Sequence, residues 1–200
     1  MRIILATSNA GKLAEYERLL AGVPDVELES LESLAGLVHV VEDGDTFHAN
    51  ALKKARAVAA VTGVPSMADD SGLEVDALGG RPGVHSARYA GTDATAAQNN
   101  EKLLQELSGV RGDERTARFR CAIVLVDGKG RELLVAEGAC EGRIAASPRG
   151  THGFGYDPLF IAHGHQQTMA ELLPEKKNQI SHRAKAATKL VAGLRELQKP

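Results

Sequence analysis

Two adjacent carboxylates in the segment Asp69-Asp70-Ser71-Gly72 are the residues of this chain best suited to chemistry. They follow an apolar run at residues 64–68 and precede a second strand-like run at residues 73–78. Carboxylates are costly to bring towards a core unless a cation, a metal or a hydrogen-bond donor compensates their charge. The alternative is a capped surface turn, because Asp, Ser and Gly are common turn residues. The segment alone leaves both interpretations open.

A second candidate segment lies between a predicted strand at residues 2–6 and a predicted helix, and consists of Thr7, Ser8, Asn9, Ala10, Gly11 and Lys12. Such a junction points backbone N–H groups and the positive end of a helix dipole outward, which suits a phosphate. Gly11 permits close backbone approach and Lys12 supplies a positive charge. The longer Walker pattern is not present. A simple helix N-cap at Ser8 or Asn9 is the alternative, but Lys12 has no capping role, which favours the phosphate interpretation.

Glu42 ends an apolar strand-like run, as Asp70 does. Two carboxylates at strand ends could share Mg²⁺, a hard cation that prefers oxygen ligands and usually keeps several waters and substrate phosphates. The alternative is a solvated acidic turn at residues 42–45, and the residues by themselves favour that alternative.

Two later segments could contact a nucleotide. Phe154 and Tyr156 lie in a glycine-rich loop at residues 153–158. An aromatic ring on a loop can stack on a base, although the loop by itself is more typical of one anchored by buried aromatics. Basic residues then open the predicted last helix, at residues 176–183. Because positive charge at a helix N-terminus opposes the helix dipole, this placement indicates an anionic neighbour.

Composition sets the broad class of protein. The chain has 200 residues, of which 43% are hydrophobic and 25% charged, which is typical of one large soluble domain or two packed lobes. A net charge of -2 argues against a nucleic-acid binder. Two cysteines without a spacing motif predict buried, reduced thiols in a cytoplasmic protein. No apolar run approaches the roughly 20 residues that span a membrane, so no membrane partner is expected.

Strand-like and helix-like segments alternate early, and two strands flank a hairpin turn at residues 127–130. This order predicts an α/β protein with a mixed sheet and one continuous structural unit over residues 1–200. Strands are predicted at residues 2–6, 26–31, 38–41, 64–68, 73–78, 117–126 and 132–139. Helices are predicted after Lys12 as far as Leu20, at residues 46–62, from Thr92 or Asp93 to Leu107, and at residues 180–197.

Four motifs in order carry a family resemblance: Thr-Ser-Asn-Ala-Gly-Lys, Asp-Asp-Ser-Gly, Gly-Phe-Gly-Tyr-Asp-Pro and Ser-His-Arg. Together they resemble the inosine triphosphate pyrophosphatase family, the dITP/XTP pyrophosphatases that remove deaminated purine nucleotides. The resemblance extends from residue 2 to about residue 195. Each motif alone is weak, but four in this order across the chain are highly specific.

The resemblance implies a two-lobed α/β fold around a long curved mixed sheet flanked by helices, with a substrate cleft between the lobes, and a homodimer. It implies Mg²⁺-dependent hydrolysis of XTP, ITP or dITP to the monophosphate and pyrophosphate. Residues 7–12 would hold the phosphates, Asp70 would be the catalytic base and a metal ligand, and Glu42 the second metal carboxylate. The residues implied to contact the nucleotide are Ser71, Phe154, Gly155, Tyr156, Asp157, Lys177, His182 and Arg183.

One departure from the family pattern is visible at Ala49, where family members often have Glu. A Glu at this position would complete a capping box with Thr46, so its loss should cost some helix stability. Two other functions compete with the pyrophosphatase: a non-catalytic phosphate- or nucleotide-binding module, and a phosphatase that releases the terminal phosphate. The sequence does not rank XTP, ITP and dITP, and it leaves open whether Asp69 touches the metal directly.

Overall fold

The structure is a computed structural model that describes residues 1–21, 23–24, 26–30 and 40–198. Strands within these ranges are β1 (Arg2–Leu5), β2 (Glu27–Ser30), β3 (Ser66–Val75), β4 (Thr116–Val126), β5 (Glu132–Ile144) and β6 (Phe160–Ala162). Helices are α1 (Ala10–Leu20), α2 (Phe47–Thr62), α3 (Ala96–Glu106), α4 (Pro174–Ile180) and α5 (His182–Leu197). No helix in the described part of the chain is both long and apolar enough to span a membrane.

The six strands form one mixed sheet in the order β2-β1-β3-β4-β5-β6. Strand β1 pairs in parallel with β2 and with β3, where Ile4 lies opposite Ser66, whereas β5 and β6 pair antiparallel. Parallel neighbours need a crossover between them, and α1 provides it between β1 and β2. The predicted α/β class with a mixed sheet flanked by helices is therefore confirmed, while the cleft between lobes stays a prediction.

The chain divides into two compact units. Unit 1 contains residues 1–70, 121–138 and 183–200, and unit 2 contains residues 71–120 and 139–182. Strands β3, β4 and β5 each contribute residues to both units. The expectation of a single domain over residues 1–200 stays a prediction.

Unit 1 has two apolar clusters, and β3 contributes alternate residues to them. Met67 belongs to a cluster that also contains apolar residues of α1 and α5, whereas Ala68 belongs to one that contains apolar residues of α2. Successive side chains of a strand point to opposite faces of the sheet, which explains the alternation. The next two residues of β3 are Asp69 and Asp70, so the same alternation directs them to different helices.

Unit 2 has its own apolar core, formed by residues of β3, α3, β4, β5 and β6. The ring centroids of Phe119 and Phe160 lie 4.5 Å apart in this core. Cys140 belongs to it, and Cys121 belongs to the core of unit 1. Both cysteines are buried thiols, as the sequence predicted.

Several predicted element boundaries were wrong. Helix α3 begins after Thr95, whose side chain accepts a hydrogen bond from the Gln98 backbone in a capping box, rather than after residue 92 or 93. The helix predicted over residues 180–197 begins two residues later, as α5, because Ser181 has an extended backbone and Ile180 ends the separate helix α4. The predicted strand at residues 38–41 falls partly outside the described residues, and residues 40–41 have no regular structure.

Candidate active site

Asp69 and Asp70 lie inside a continuous strand, not on a turn. Strand β3 runs through the Asp-Asp-Ser-Gly segment, and both carboxylates are buried. The sequence predicted two strands separated by a turn at this point, and that prediction was wrong. Cations from neighbouring elements compensate the two charges, so the segment can remain extended inside the protein.

The carboxylate of Asp69 is held by two cations from different helices. Its Oδ1 lies 2.8 Å from Nζ of Lys12 in α1, and its Oδ2 accepts a hydrogen bond from Nε of Arg183 in α5 at 3.1 Å. Arg183 also donates through Nη1 to Oε2 of Glu15 at 2.9 Å. The Asp69 side chain is 0% exposed and that of Arg183 4% exposed. These four side chains form a buried charge network within unit 1.

The network determines the ionisation of its members. Burial opposes the charge on Asp69, but Lys12 and Arg183 nevertheless hold the pKa of its carboxyl well below its usual range. Burial likewise opposes the charge on Arg183, and the carboxylates of Asp69 and Glu15 more than offset it, which raises the Arg183 pKa. Cys121 lies 3.7 Å from Asp69 Oδ2, and burial followed by this charge raises the pKa of its thiol to about 12. The thiol is therefore protonated and donates to the network.

Asp70 faces helix α2 and has different partners. Its Oδ1 lies 3.1 Å from Nζ of Lys54, and the same ammonium lies 2.9 Å from Oε1 of Glu42. Its Oδ2 accepts a hydrogen bond from Nδ2 of Asn50 at 3.1 Å. Burial raises the pKa of Asp70 although Lys54 opposes this effect, and the nearby charge of Glu42 adds to it. Asp69 and Asp70 thus differ in partners and in the direction of their pKa shifts.

Glu42 and Asp70 are the described carboxylates suited to hold a divalent cation together. Both lie within hydrogen-bonding distance of one ammonium group, that of Lys54, so the pair already holds a positive charge in this structure. Their oxygen atoms are the donors that Mg²⁺ prefers. The described residues contain no group of three or more His, Cys, Asp or Glu side chains with metal-binding geometry. Further ligands would come from water and phosphate.

The segment at residues 7–12 begins helix α1. Asn9 is the N-cap, and its side-chain oxygen accepts a hydrogen bond from the backbone of Lys12 at 3.0 Å. Thr7 tightens the turn before it, since its hydroxyl oxygen accepts from the Asn9 backbone at 3.2 Å. Ser8 and Ala10 are exposed, and no acidic side chain lies in the first turn. The capping alternative is therefore observed at Asn9, and the Lys12 ammonium is paired with Asp69, so phosphate binding by this segment stays a prediction.

In unit 2, Asp157 organises the glycine-rich loop. Its Oδ2 accepts hydrogen bonds from the Phe154 backbone at 2.9 Å and from Nζ of Lys177 at 2.7 Å. The Lys177 ammonium also lies 4.9 Å from the centroid of the Phe154 ring. Gly153 has a positive φ of 77°, and a Cβ there would lie 2.1 Å from Asp157 Oδ2. Only glycine therefore allows the loop to close around this carboxylate.

The remaining predicted residues of unit 2 are well buried or partly buried. Tyr156 is buried and donates its hydroxyl proton to the Ser86 carbonyl at 2.9 Å, so it anchors the loop. His182 is buried and stacks on Phe119, with ring centroids 4.8 Å apart. Ser71 and Gly155 are partly exposed. None of these positions tests the predicted contacts with a nucleotide, which stay predictions.

Sequence reasoning brought out most of these residues but missed Asn50 and Lys54 as partners of Asp70. Both lie on α2, four residues apart and therefore on one face of the helix. A usable signal was present, because Asn and Lys interrupt an alanine-rich helix at that spacing. The role of Asp69 was also missed, since its partner Arg183 is 114 residues away in the chain.

Comparison with known proteins gives a consistent result. A dITP/XTP pyrophosphatase of Geobacillus kaustophilus is 55% identical over 188 residues, covering 94% of this chain and 91% of that protein. A dITP/XTP pyrophosphatase of Bacillus subtilis is 49% identical, covering 94% and 93%. The structure of a HAM1 protein from Coxiella burnetii matches with a TM-score of 0.88 and 42% identity, over 98% of this chain and 99% of that one.

A family model covers almost the whole chain. The model of the Ham1 family matches residues 3–193, a range that contains every residue singled out above. The relatives carry the pyrophosphatase name that the four sequence motifs indicated, so that resemblance is confirmed. This chain belongs to the Ham1 family.

Proposed function

We propose that this protein hydrolyses non-standard purine nucleoside triphosphates, such as XTP, dITP and ITP, to the nucleoside monophosphate and pyrophosphate. Relatives about half identical to it over more than nine-tenths of its length are dITP/XTP pyrophosphatases. The observation that carries the proposal is a pair of carboxylates, partly buried Glu42 and buried Asp70, that share one ammonium partner. Such a pair can hold a cation, and Asp70 can also serve as a general base; both contributions favour hydrolysis of a phosphoanhydride.

Glu42 and Asp70 would hold Mg²⁺. When bound, the ion would neutralise phosphate charge and polarise the reacting phosphoryl group. Lys54 supplies positive charge at the same carboxylates. Burial lowers the pKa of Lys54, but Asp70 and the neighbouring acidic side chains raise it above its usual value, so Lys54 stays protonated. The protein thus keeps this carboxylate pair compensated by its own side chain.

Asp70 would act as the general base. It would orient a water molecule and take one proton from it as the water oxygen forms a bond to the α-phosphorus. The bond from the α-phosphorus to the α–β bridging oxygen breaks, and pyrophosphate leaves with that electron pair. The hydrogen bond from Asn50 to Oδ2 fixes the orientation of this carboxylate, as a general base requires.

Lys12 and the N-terminus of α1 would bind the phosphates. The backbone N–H groups of the first turn and the helix dipole both favour an anion there. Lys12 is only 14% exposed and is fixed by Asp69, so little side-chain entropy remains to be lost on binding. Preorganised charges of this kind supply most of the catalysis in phosphoryl-type transfer.

The residues assigned to the base are donors and aromatic rings. Xanthine and hypoxanthine carry an acceptor oxygen at C6, where adenine carries an amino donor. Donor-only groups such as Arg183 would pair with that oxygen and oppose adenine, while guanine is rejected if no acceptor faces its C2 amino group. Unpaired buried polar groups can support large discrimination of this kind. Phe154, with Lys177 fixed beside it by Asp157, would stack on the base.

Product analysis with XTP and Mg²⁺ tests the proposal. The expected products are XMP and pyrophosphate in equal amounts. XDP and free phosphate would support a terminal phosphatase instead, and Mg²⁺-independent binding without any product would support a non-catalytic module. Equal efficiency on XTP, ITP, GTP and ATP would refute the predicted base selectivity.

The Asp70→Asn variant tests the assignment of the base. It should bind nucleotide about as well as the wild-type protein but turn over far more slowly, because the amide cannot accept the proton. Turnover near that of the wild type would refute the assignment. Isothermal titration calorimetry with XMP measures the retained binding.

We also propose a homodimer that acts in the cytoplasm, as the family resemblance implies. The substrate is a small metabolite, and neither a nucleic acid nor a membrane is needed for the reaction. Light scattering of the purified protein would give twice the mass of 21.2 kDa if the dimer forms. A mass equal to one chain would contradict the dimer.

A further inference from the structure

Asn50 carries a fully buried amide on the face of α2 whose other buried residues are alanines and one valine. Its residue is 0% exposed, and its neighbours on that face, Ala51 and Ala55, belong to an apolar cluster. A buried amide destabilises a protein unless its donor and acceptor are both bonded. The hydrogen bonds of Asn50 therefore show what this position is used for.

The two ends of the Asn50 amide have different partners. Its Oδ1 accepts a hydrogen bond from the backbone N–H of Gly44 at 2.8 Å, and its Nδ2 donates to Oδ2 of Asp70 at 3.1 Å. A second, longer contact of 3.4 Å joins Nδ2 to the Gly44 carbonyl. The amide thus links a backbone segment directly to the carboxylate of Asp70.

This link distinguishes the two oxygens of Asp70. Oδ2 is taken by the directional hydrogen bond from Asn50, whereas Oδ1 lies 3.1 Å from the Lys54 ammonium. The same ammonium contacts Glu42, so Oδ1 is the oxygen on the side of the carboxylate pair. An ammonium attracts either oxygen of a carboxylate, but an amide donor in a fixed position bonds only one.

Gly44 makes the arrangement possible through space rather than through an unusual backbone conformation. A Cβ at this residue would lie 2.7 Å from Asn50 Oδ1 and 3.0 Å from the Cβ of Ala49. Any side chain here would therefore displace the Asn50 amide. The Gly44 backbone fixes Oδ1 of the Asn50 amide and thereby orients Nδ2 towards Asp70.

We propose that Asn50 is a positioning residue for Asp70, held in place by the backbone of Gly44. It holds Oδ2 of Asp70 in a hydrogen bond, so that Oδ1 faces the divalent cation that Asp70 and Glu42 would bind together. The inference deepens the proposed function and rests on it, since it assumes that Asp70 is the base and a metal ligand.

Asn50→Leu tests the inference, because leucine has a similar volume but no hydrogen-bonding groups. The kcat for XTP hydrolysis should fall about 10- to 100-fold while KM changes little, since the lost interaction orients the base rather than binding substrate. Isothermal titration calorimetry should show weaker Mg²⁺ binding by the variant. Gly44→Ala, a milder change that acts through Asn50, should lower kcat in the same direction.

Asn99 offers a matched control in unit 2. It is 5% exposed, and it bonds only backbone among the described residues, accepting from the Ala90 N–H at 2.7 Å and donating to the Ala87 carbonyl at 3.0 Å. Asn99→Leu should lower the melting temperature about as much as Asn50→Leu but leave kcat and Mg²⁺ affinity unchanged.

The outcomes separate the inference from the proposed function. If both leucine variants lose thermal stability and both keep kcat, then Asn50 is merely structural and the inference is wrong. If Asn50→Leu does not fold, an unchanged kcat in Gly44→Ala overturns it. If the wild-type protein releases no pyrophosphate from XTP, the proposed function fails, and equal Mg²⁺ affinity of wild type and variants would then refute the positioning role as well.

Discussion

Replacing Asp69 by asparagine should destabilise the protein strongly. The change removes a carboxylate whose side chain is 0% exposed and leaves two cations, Lys12 and Arg183, without its charge. Breaking a buried ion pair by removing one partner costs about 3–5 kcal/mol. Arg183 keeps Glu15 as a partner at 2.9 Å, so we expect a value near the lower end, about 3 kcal/mol.

The expected change in melting temperature follows from the size of the chain. The unfolding entropy of a protein is about 2.1 cal/mol/K per residue, or about 0.4 kcal/mol/K for 200 residues. A loss of about 3 kcal/mol therefore lowers the melting temperature by about 7 °C. Differential scanning calorimetry at pH 7 measures it. Asp113→Asn is the matched control, because Asp113 pairs with Arg111 and the two side chains are 74% and 71% exposed. Such an exposed ion pair should contribute little to stability.

The effect should depend on pH in a defined direction. The folded-state pKa of Asp69 is lowered, so its ion pairs stabilise the protein above the unfolded-state pKa of about 4 and are lost as the pH falls towards the folded-state value. The difference between wild type and Asp69→Asn should thus be largest near neutral pH and shrink in acid. The reasoning is refuted if Asp69→Asn melts no lower than Asp113→Asn at pH 7, or if their difference persists unchanged at low pH.

Two further predictions concern the other unit and the start of α2. Asp157→Asn removes the carboxylate that lies 2.7 Å from the buried Lys177 ammonium. The KM for XTP should therefore rise several-fold, and the free energy of unfolding should fall by about 3 kcal/mol. Steady-state kinetics and calorimetry measure the two effects, and an unchanged KM would contradict the prediction. Ala49→Glu should raise stability by about 0.3–1 kcal/mol, because Thr46 already accepts from the residue 49 backbone at 3.0 Å and the new side chain completes a capping box. A lower melting temperature in the Ala49→Glu variant would contradict the capping-box argument.

The parts of the fold predictable from sequence were those with a local signal. Strand β1 is a β-branched apolar run, and α2 is bounded by a Thr46 cap and by Gly63 in the left-handed conformation, with φ of 66°. Such signals depend on neighbouring residues only, so they can be read directly from the chain. The start of α5 was predicted two residues too early, although Ser181 is of a type that often precedes a helix.

The Asp-Asp-Ser-Gly segment shows where local reasoning fails. Its composition is typical of a turn, yet Lys12 and Arg183, 57 and 114 residues away, neutralise Asp69 and allow a strand. No pattern within the segment contains those partners. The roles of Asp70 and Glu42 came from the family resemblance rather than from the surrounding residues, and they stay predictions.

The separation of the charged partners also bears on protein synthesis. Glu15 and Arg183 are 168 residues apart, and unit 1 draws on three separate stretches of the chain. While the chain is still being translated, Glu15 and Asp69 lack their guanidinium partner until α5 emerges from the ribosome. Contacts between such distant residues slow folding. Early termination or proteolytic cleavage before Arg183 therefore removes the guanidinium group from both Glu15 and Asp69 and leaves Asp69 with Lys12. Such a fragment should be a substrate for chaperones and proteases rather than a partly active enzyme.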